Sequence, residues 1–433
     1  MAVMTYEEAK RFLEECNRYA GEFTLEPLRE MLRRLGDPQD KLSFVHIAGT
    51  NGKGSVLAYI STILKTAGYR TGRYISPTIF SYRERIQVNE TYISREDLVR
   101  LTERIKKVGE QMLKEGLRHP TMFEAETALA FLYFAEQQCE VVVLETGMGG
   151  RTDATNVIRD TLAAVLTPIS MDHMGFLGDT LLEIAENKAG IIKPGCMVVT
   201  SVQKPEAECA IRKKAAEYGC RLTTADPEQA VNRKRGLYLQ SFDYKQYRQM
   251  EISLSGEYQF TNAALALDAV EVLRSRGYRI PDEAVRDGMK HTVWIGRFSV
   301  VAERPCFLVD GAHNRDAAEK LAQSIEKYLP GRRLICILGV LADKEYEMVI
   351  KKTVGYAAEI ITVMTPGNER ALPAEDLSKK VAEYNSHVQA AESLKQAVDR
   401  AYELAEEEDV ILAFGSLSYL GELVRLVEKR RQI

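Results

Sequence analysis

The segment Ala48-Gly49-Thr50-Asn51-Gly52-Lys53-Gly54-Ser55 constrains this chain more than any other stretch. It follows the apolar run Phe44 to Ala48 and opens a helical pattern from Ser55 to Ala67. In that setting glycines permit a tight turn, backbone N–H groups face a ligand and the helix N-terminus favours negative charge. Lys53 adds a cation and Ser55 a hydroxyl, so the segment reads as a phosphate cradle; a glycine turn with no ligand is the alternative. It departs from the general P-loop pattern, because Ile47 stands where the first glycine would be and Gly54 intervenes before Ser55. A guanine-reading Asn-Lys-x-Asp run is missing: the nearest candidate, Asn187-Lys188-Ala189-Gly190, ends in glycine.

Short β-branched runs alternate with amphipathic stretches around this loop. Thr71 to Ile75, Val141 to Glu145, Leu162 to Leu166 and Met197 to Thr200 read as strands, and Thr127 to Gln137 as a helix. This is a βαβ rhythm, which predicts an α/β fold with a parallel sheet. Gly236 to Ser241 and Met250 to Leu254 read as an appended hairpin before a helix around Asn262 to Arg274. The helical pattern stops at Trp294-Ile295-Gly296-Arg297, and strands Cys306 to Asp310, Arg333 to Leu338, Glu359 to Met364 and Val410 to Phe414 follow. The expectation is one α/β domain over 1–296 with a small antiparallel addition, and a second, Rossmann-like α/β domain over 297–433.

The charge balance excludes several classes of function. A net charge of -4, with acidic and basic residues interleaved, gives no footprint for nucleic acid or an anionic membrane surface. Met1 to Glu15 has no basic start followed by an apolar core, and no run approaches the roughly 18 apolar residues of a membrane helix. Seven cysteines without close paired spacing argue against a disulfide framework or a zinc site. A cytoplasmic protein acting on small molecules is expected.

Glu145 ends an apolar strand, where α/β folds bind ligands, and is followed by Gly147, Gly149, Gly150 and the polar string Arg151 to Asn156. Alone it reads equally as a metal ligand or a helix-capping acid. His173, in Ser170-Met171-Asp172-His173, reads first as structural, since Mg²⁺ prefers oxygen. Lys188, on a helix opened by Gly178-Asp179-Thr180, reads first as a solvated lysine.

Taken together, GTNGKGS, ISPTIFSYRERIQVN from Ile75, LETGMGGRTDATN from Leu144, MDHMGFLGDT from Met171 and KAGIIKPG from Lys188 resemble the folylpolyglutamate and dihydrofolate synthase family of the Mur ligase superfamily. The resemblance continues through LSGEYQFTNA from Leu254, LVDGAHN from Leu308, TPGNERALPAEDL from Thr365 and FGSLSYLGE from Phe414. It implies a Mur ligase-type ATP-binding domain followed by a C-terminal ligase domain, with ATP and Mg²⁺ required. By the same resemblance Thr50, Asn51, Gly52, Lys53, Gly54 and Ser55 cradle the triphosphate, and Asn262, Arg297 and Asp310 contact ATP. Ser76, Glu145 and His173 would hold magnesium, with Lys188 carbamylated to help hold a second ion. Lys53, Lys188, His173 and His313 become the catalytic set. Thr121, Phe123, Glu124, Asp153, Ala154 and Thr155 match segments that contact the pterin substrate.

The implied reaction adds L-glutamate to a folate through an acyl phosphate, in a monomer; some members of the family only extend folates while others also use dihydropteroate, and the resemblance leaves both readings open. Three places depart from the family pattern: Ser299 replaces an acid, Glu257 a common histidine, and Gly21-Glu22-Phe23-Thr24-Leu25 lacks the usual glycine–leucine pair. The rival readings are a cell-wall amino-acid ligase of the same superfamily, disfavoured by Gly54-Ser55 and Gly367-Asn368-Glu369-Arg370, and a nucleotide-binding regulator without catalysis.

Overall fold

Strand β1 (Phe44–Ala48) is buried at every position, as a central strand of a sheet covered on both faces must be. The computed structural model describes residues 4–19, 21, 24–172 and 175–430; Glu22, Phe23 and His173 lie outside these. After β1 come β2 (Thr71–Tyr74), β3 (Ile86–Val88), β4 (Thr91–Tyr92), β5 (Val141–Glu145), β6 (Thr161–Leu166), β7 (Met197–Ser201) and β8 (Leu222–Ala225). They form one sheet in the order β4-β3-β2-β5-β1-β6-β7-β8. β2, β5, β1, β6, β7 and β8 run parallel, and β3 and β4 add an antiparallel hairpin at one edge.

The parallel strands are joined by helices that pack on the sheet. Phe44, Val142 and Leu144 share a core with Leu28, Met31, Leu101 and Phe131. Ala164, Leu166 and Val198 share another with Ile184, Ile191 and Ile211. The helix Lys53–Thr66 is buried from Gly54 to Leu64, so it shows none of the apolar-polar alternation of a surface helix. Its tightest neighbour is Gly288 on the helix Asp282–His291, where a Cβ would lie 2.6 Å from Ile63 Cα.

The chain divides by contacts into Met1–Glu228 with Thr261–Met289, and Gln229–Phe260 with Lys290–Ile433. This differs from a single break between 296 and 297. The segment expected as a hairpin is a three-stranded antiparallel sheet, β9 (Val231–Lys234), β10 (Gln240–Tyr244) and β11 (Tyr247–Ile252), and it groups with the second unit. Long-range side-chain bonds account for that. Tyr328, at the end of the helix Arg315–Tyr328, donates to Gln240 Oε1, and Lys327 Nζ lies 2.9 Å from Glu257 Oε1. Gly236 is in a turn, not a strand: a Cβ there would lie 2.3 Å from the Leu239 carbonyl oxygen.

The second unit also holds β12 (Ser299–Glu303), β13 (Cys306–Val309), β14 (Leu334–Leu338), β15 (Glu359–Thr362), β16 (Val388–Ala390) and β17 (Val410–Phe414). Their order is β12-β13-β17-β14-β15-β16, with only the edge strand β12 antiparallel. This is the α/β sheet expected after the boundary. Among the described residues no helix is long and apolar enough to cross a membrane.

The Gly288 contact gives the first prediction. Gly288→Ala forces a methyl group into the Ile63 backbone, so it should destabilise the first unit by about 1–3 kcal/mol, as overpacking does. A thermal unfolding midpoint equal to the wild type's would show that the two helices part without penalty.

Candidate active site

The loop after β1 is shaped by what presses on it. Gly49 has φ +150°, and a Cβ there would fall 1.9 Å from Thr167 Oγ1. Gly52 has φ +90°, and its Cβ would fall 2.4 Å from Asn262 Oδ1. No L side chain fits at either position. The loop is laced to the segment after β6: Thr50 N donates to Pro168 O (3.0 Å), Thr50 Oγ1 to Ser170 O (3.0 Å) and Ser170 N to Thr50 Oγ1 (3.0 Å). Gly52 caps the helix Lys53–Thr66, whose first-turn N–H groups have no intrahelical acceptors. A helix start behind a glycine turn is an anion site by geometry. Of the residues expected here, the structure brings Thr50 to Ser55 and Asn262 together.

Two lysines converge on the same loop. Lys53 Nζ donates to Gly49 O and Thr50 O, both at 3.3 Å. Lys188 Nζ donates to Gly49 O at 2.8 Å and is only 4% exposed, so it is not the solvated lysine its helix position suggested. Its segment is clamped from behind: Arg151 N donates to Asn187 O (2.8 Å), and a Cβ on Gly150 would strike the Asn187 and Lys188 carbonyls at 2.8 Å. Burial, then the charge of Lys53, pushes the Lys188 ammonium down to about 7, against the pull of Asp172 and Asp153.

Glu145 is 5% exposed at the end of β5, and Ser76 N lies 3.4 Å from its Oε2. That backbone contact brings Ser76 to the end of β5, and a serine hydroxyl and a carboxylate are hard oxygen donors of the kind Mg²⁺ takes. These donors fit the ion. Among the described residues no group of three or more His, Cys, Asp and Glu forms a metal cluster. His173, the nitrogen donor expected beside them, falls outside the described residues.

Next to Ser76 lies a cleft of about 430 Å³, whose walls include Thr121, Phe123, Glu124, Asp153 and Ala154. Thr121 and Glu124 form a capping box at the start of the helix Met122–Glu136, with Thr121 N and Oγ1 donating to Glu124 Oε2 at 2.7 and 2.9 Å. Phe123 lies in the first turn of that helix, and Gly147 lies against its ring: a Cβ there would be 2.5 Å from Phe123 Cζ. The Asp153 carboxylate accepts from Thr155 Oγ1 (2.5 Å), Thr155 N (3.0 Å) and Met148 N (2.7 Å). Burial pushes its pKa up against these bonds. Thr155 itself is fully buried behind the wall. The sequence reading missed Arg118 and Phe176, which also line the cleft. Phe176 is 67% exposed and is the one aromatic residue of the MDHMGFLGDT run from Met171.

The remaining candidates belong to the second unit. Asp310, just after β13, accepts from Tyr258 OH, Phe298 N and Ala312 N, each at 2.8 Å. Burial pushes it up although the Arg297 charge acts against that. His313 Nδ1 lies 2.8 Å from the Gly311 carbonyl, which can only accept, so Nδ1 carries a proton. Asp310 thereby organises the turn that holds Arg297 and His313.

Comparison with known proteins places this geometry in a family. The chain matches the Mur ligase middle domain over residues 47–270 and the Mur ligase glutamate ligase domain over 296–417. It is 35% identical over 431 residues to a dihydrofolate synthase/folylpolyglutamate synthase of Bacillus subtilis, covering 96% of this chain and 98% of that one. It is 32% identical to a folylpolyglutamate synthase of Lacticaseibacillus casei, covering 86% and 88%. A Mycobacterium tuberculosis folylpolyglutamate synthase complexed with ADP superimposes with a TM-score of 0.89 at 29% identity, covering 97% and 98%. An FPGS–AMPPCP–folate complex does so with 0.85 at 28%, covering 98% and 100%.

Lys188 yields a pH-dependent prediction. Its folded pKa of about 7 lies below the unfolded value of 10.5, so below pH 7 the folded state bears the full burden of a buried charge. That burden lifts as pH rises from 7 towards 10.5. Without added metal or bicarbonate, Lys188→Met should be more stable than wild type at pH 6, and its advantage should shrink above pH 7. Thermal melts of both proteins across that range test this; a constant difference would mean that Lys188 does not titrate there.

Proposed function

Because the chain belongs to the folylpolyglutamate and dihydrofolate synthase family of Mur ligases, we propose that it joins L-glutamate to a folate, and also to dihydropteroate, converting ATP to ADP and phosphate. The observation that carries this reading is the pair Lys53 and Lys188 on the Gly49 carbonyl, at a helix start beside a cleft with an aromatic floor.

A carboxylate does not condense with an amine in water, so it must first become an electrophile. Transfer of the γ-phosphoryl group to the carboxylate oxygen gives an acyl phosphate. The glutamate amine then attacks its carbonyl carbon, the amide forms, and phosphate leaves with its oxygen. The Thr50 to Ser55 loop holds the triphosphate, and Lys53 neutralises charge as it shifts between oxygens. Ser76, Glu145 and His173 would hold magnesium, which supplies further neutralisation on the phosphates. Lys188 is part neutral near pH 7, which a reaction of its amine with carbon dioxide requires; the resulting carbamate is an anion suited to a second ion.

Phe123 offers a face to a flat ring, with Thr121, Glu124, Asp153 and Ala154 lining the rest of the cleft and Thr155 buried behind Asp153. Asn262, Arg297, Asp310 and His313 are assigned to ATP on the family pattern. The matches over 47–270 and 296–417 support an ATP-binding part followed by a ligase part. A monomer working in the cytoplasm belongs to the same proposal.

Purified protein with Mg²⁺, ATP and glutamate should release ADP with tetrahydrofolate and with dihydropteroate. Lys53→Ala should lower kcat/KM by about 10²–10³-fold, the range for losing one donor to developing charge. Activity with tetrahydrofolate alone removes the dihydropteroate half of the proposal; no Lys53-dependent turnover with either acceptor removes it altogether.

A further inference from the structure

We propose that His46 is a positioning residue for the substrate cleft, acting through Thr155 on the Asp153 carboxylate. His46 lies in the middle of β1, fully buried and outside both the phosphate loop and the cleft lining. An apolar side chain would suit that place in a covered sheet, and Phe44 and Ala48 share its face. The imidazole instead reaches sideways. Its Nε2 lies 2.8 Å from Thr155 Oγ1, and Thr155 Oγ1 lies 2.5 Å from Asp153 Oδ1.

The direction of this chain follows from counting protons. Although burial raises its pKa, Asp153 receives backbone N–H groups on both oxygens, Thr155 N on Oδ1 and Met148 N on Oδ2, so each oxygen already serves as an acceptor. The single Thr155 hydroxyl proton therefore goes to Asp153. Thr155 can then only accept from the ring, so His46 carries its proton on Nε2. Nδ1 is left as a bare acceptor, and it is buried with no hydrogen-bond partner among the described residues. A neutral ring is required, and burial pushes the His46 pKa down to about 3. An unpartnered buried acceptor is destabilising, so the histidine is a poor choice for packing alone and a good one for its single donor.

What that donor holds is the wall facing Phe123. Asp153 ties the Gly147-Met148 turn after β5 to Ala154 and Thr155, and Gly147, Met148, Asp153 and Ala154 all line the cleft. With Gly147 already against the Phe123 ring, a small shift of this strip alters the slot a flat heteroaromatic ring must enter. Because Asp153 has its oxygens engaged by the protein, it acts on the substrate chiefly by setting that slot. The inference rests on the folate reading above for the identity of the ring, but the hydrogen-bond chain does not.

The test has two arms. In ¹⁵N-labelled wild-type protein at neutral pH, the imidazole of His46 should give the NMR signature of the neutral Nε2–H tautomer; an Nδ1–H tautomer or an imidazolium overturns the proposal. In kinetics, His46→Leu and Thr155→Val should each raise KM for the pteroyl substrate on the order of tenfold, as for one lost hydrogen bond, with KM for ATP and kcat changed less than about twofold. His46→Gln, whose amide can still donate to Thr155, should restore most of the loss. The double variant should be no worse than either single one, since all three break one chain. Equal rises in both KM values, a lowered melting temperature with unchanged KM, or no rescue by glutamine would overturn the proposal. If wild-type protein turns over neither acceptor, the folate reading falls, and the tautomer still decides this one.

Discussion

Two ammonium groups share one carbonyl oxygen, and much of the first unit is arranged around keeping them there. Lys53 reaches Gly49 O from the helix the loop begins, where side chains naturally point back towards the N-terminus. Lys188 comes to the same oxygen from the far end of another helix and is almost wholly removed from water. Desolvating one cation beside another is destabilising, and the fall of the Lys188 pKa to about 7 expresses it. Such an arrangement persists only where the backbone overdetermines it. Here Gly149-Gly150-Arg151 crosses Asn187 to Gly190 so closely that neither Gly150 nor Gly190 has room for a Cβ. Perturbed, desolvated ionisable groups of this kind cluster at functional sites.

The topology explains why the other components stand nearby. β1 is flanked by β5 and β6, all three parallel, so their C-terminal ends open on one side of the sheet. The phosphate loop leaves β1, Glu145 ends β5, and Thr167 to Ser170, which fasten the loop, leave β6. From β1 the chain moves to β2 on one side and later returns to β6 on the other, which makes this end of β1 the switch point where open α/β sheets bind ligands. The cleft is a neighbour of that crevice because the turn after β5 lies against the Phe123 ring.

What the sequence made legible was local. The strand, glycine turn and helix at 44–67 follow from residues adjacent in the chain, as does the run of β-branched residues ending in Glu145. Burial of Lys188 was not legible in its own helix and followed only from the resemblance, because it depends on two glycines some forty positions earlier letting backbones cross. The β3–β4 hairpin was also missed: its turn is Asn89-Glu90, at φ +48° and +68°, with no glycine to announce it. The grouping of Gln229–Phe260 with the later unit rests on bonds to a helix about seventy residues downstream. The resemblance implies that Asp153 contacts substrate; what it does not reveal is that the carboxylate also accepts from two backbone N–H groups and from Thr155. Such bonds join residues through the fold, and a motif read along the chain does not show them.

Glu257 shows how a departure from the family pattern can be absorbed. Where a histidine is common, this chain places a nearly buried carboxylate, which alone would be unfavourable. It is met by Arg235 Nε at 2.8 Å, Arg233 Nη1 at 3.2 Å and Lys327 Nζ at 2.9 Å. Burial pushes its pKa up, but Arg235 and Lys327 outweigh that and hold it at about 2. Its backbone N–H also donates to Ser324 Oγ at 3.1 Å. Two of these partners, Ser324 and Lys327, lie in the last turns of the helix Arg315–Tyr328, whose other end starts one residue after the Asn314 cap and two after His313. An α-helix of that length spans about 20 Å and moves as a rod. Fixing its far end at Glu257 therefore limits how His313 can swing at the near end, while Asp310 holds the turn before it. In this chain Glu257 thus serves as an anchor for that helix, with its charge met by Arg233, Arg235 and Lys327.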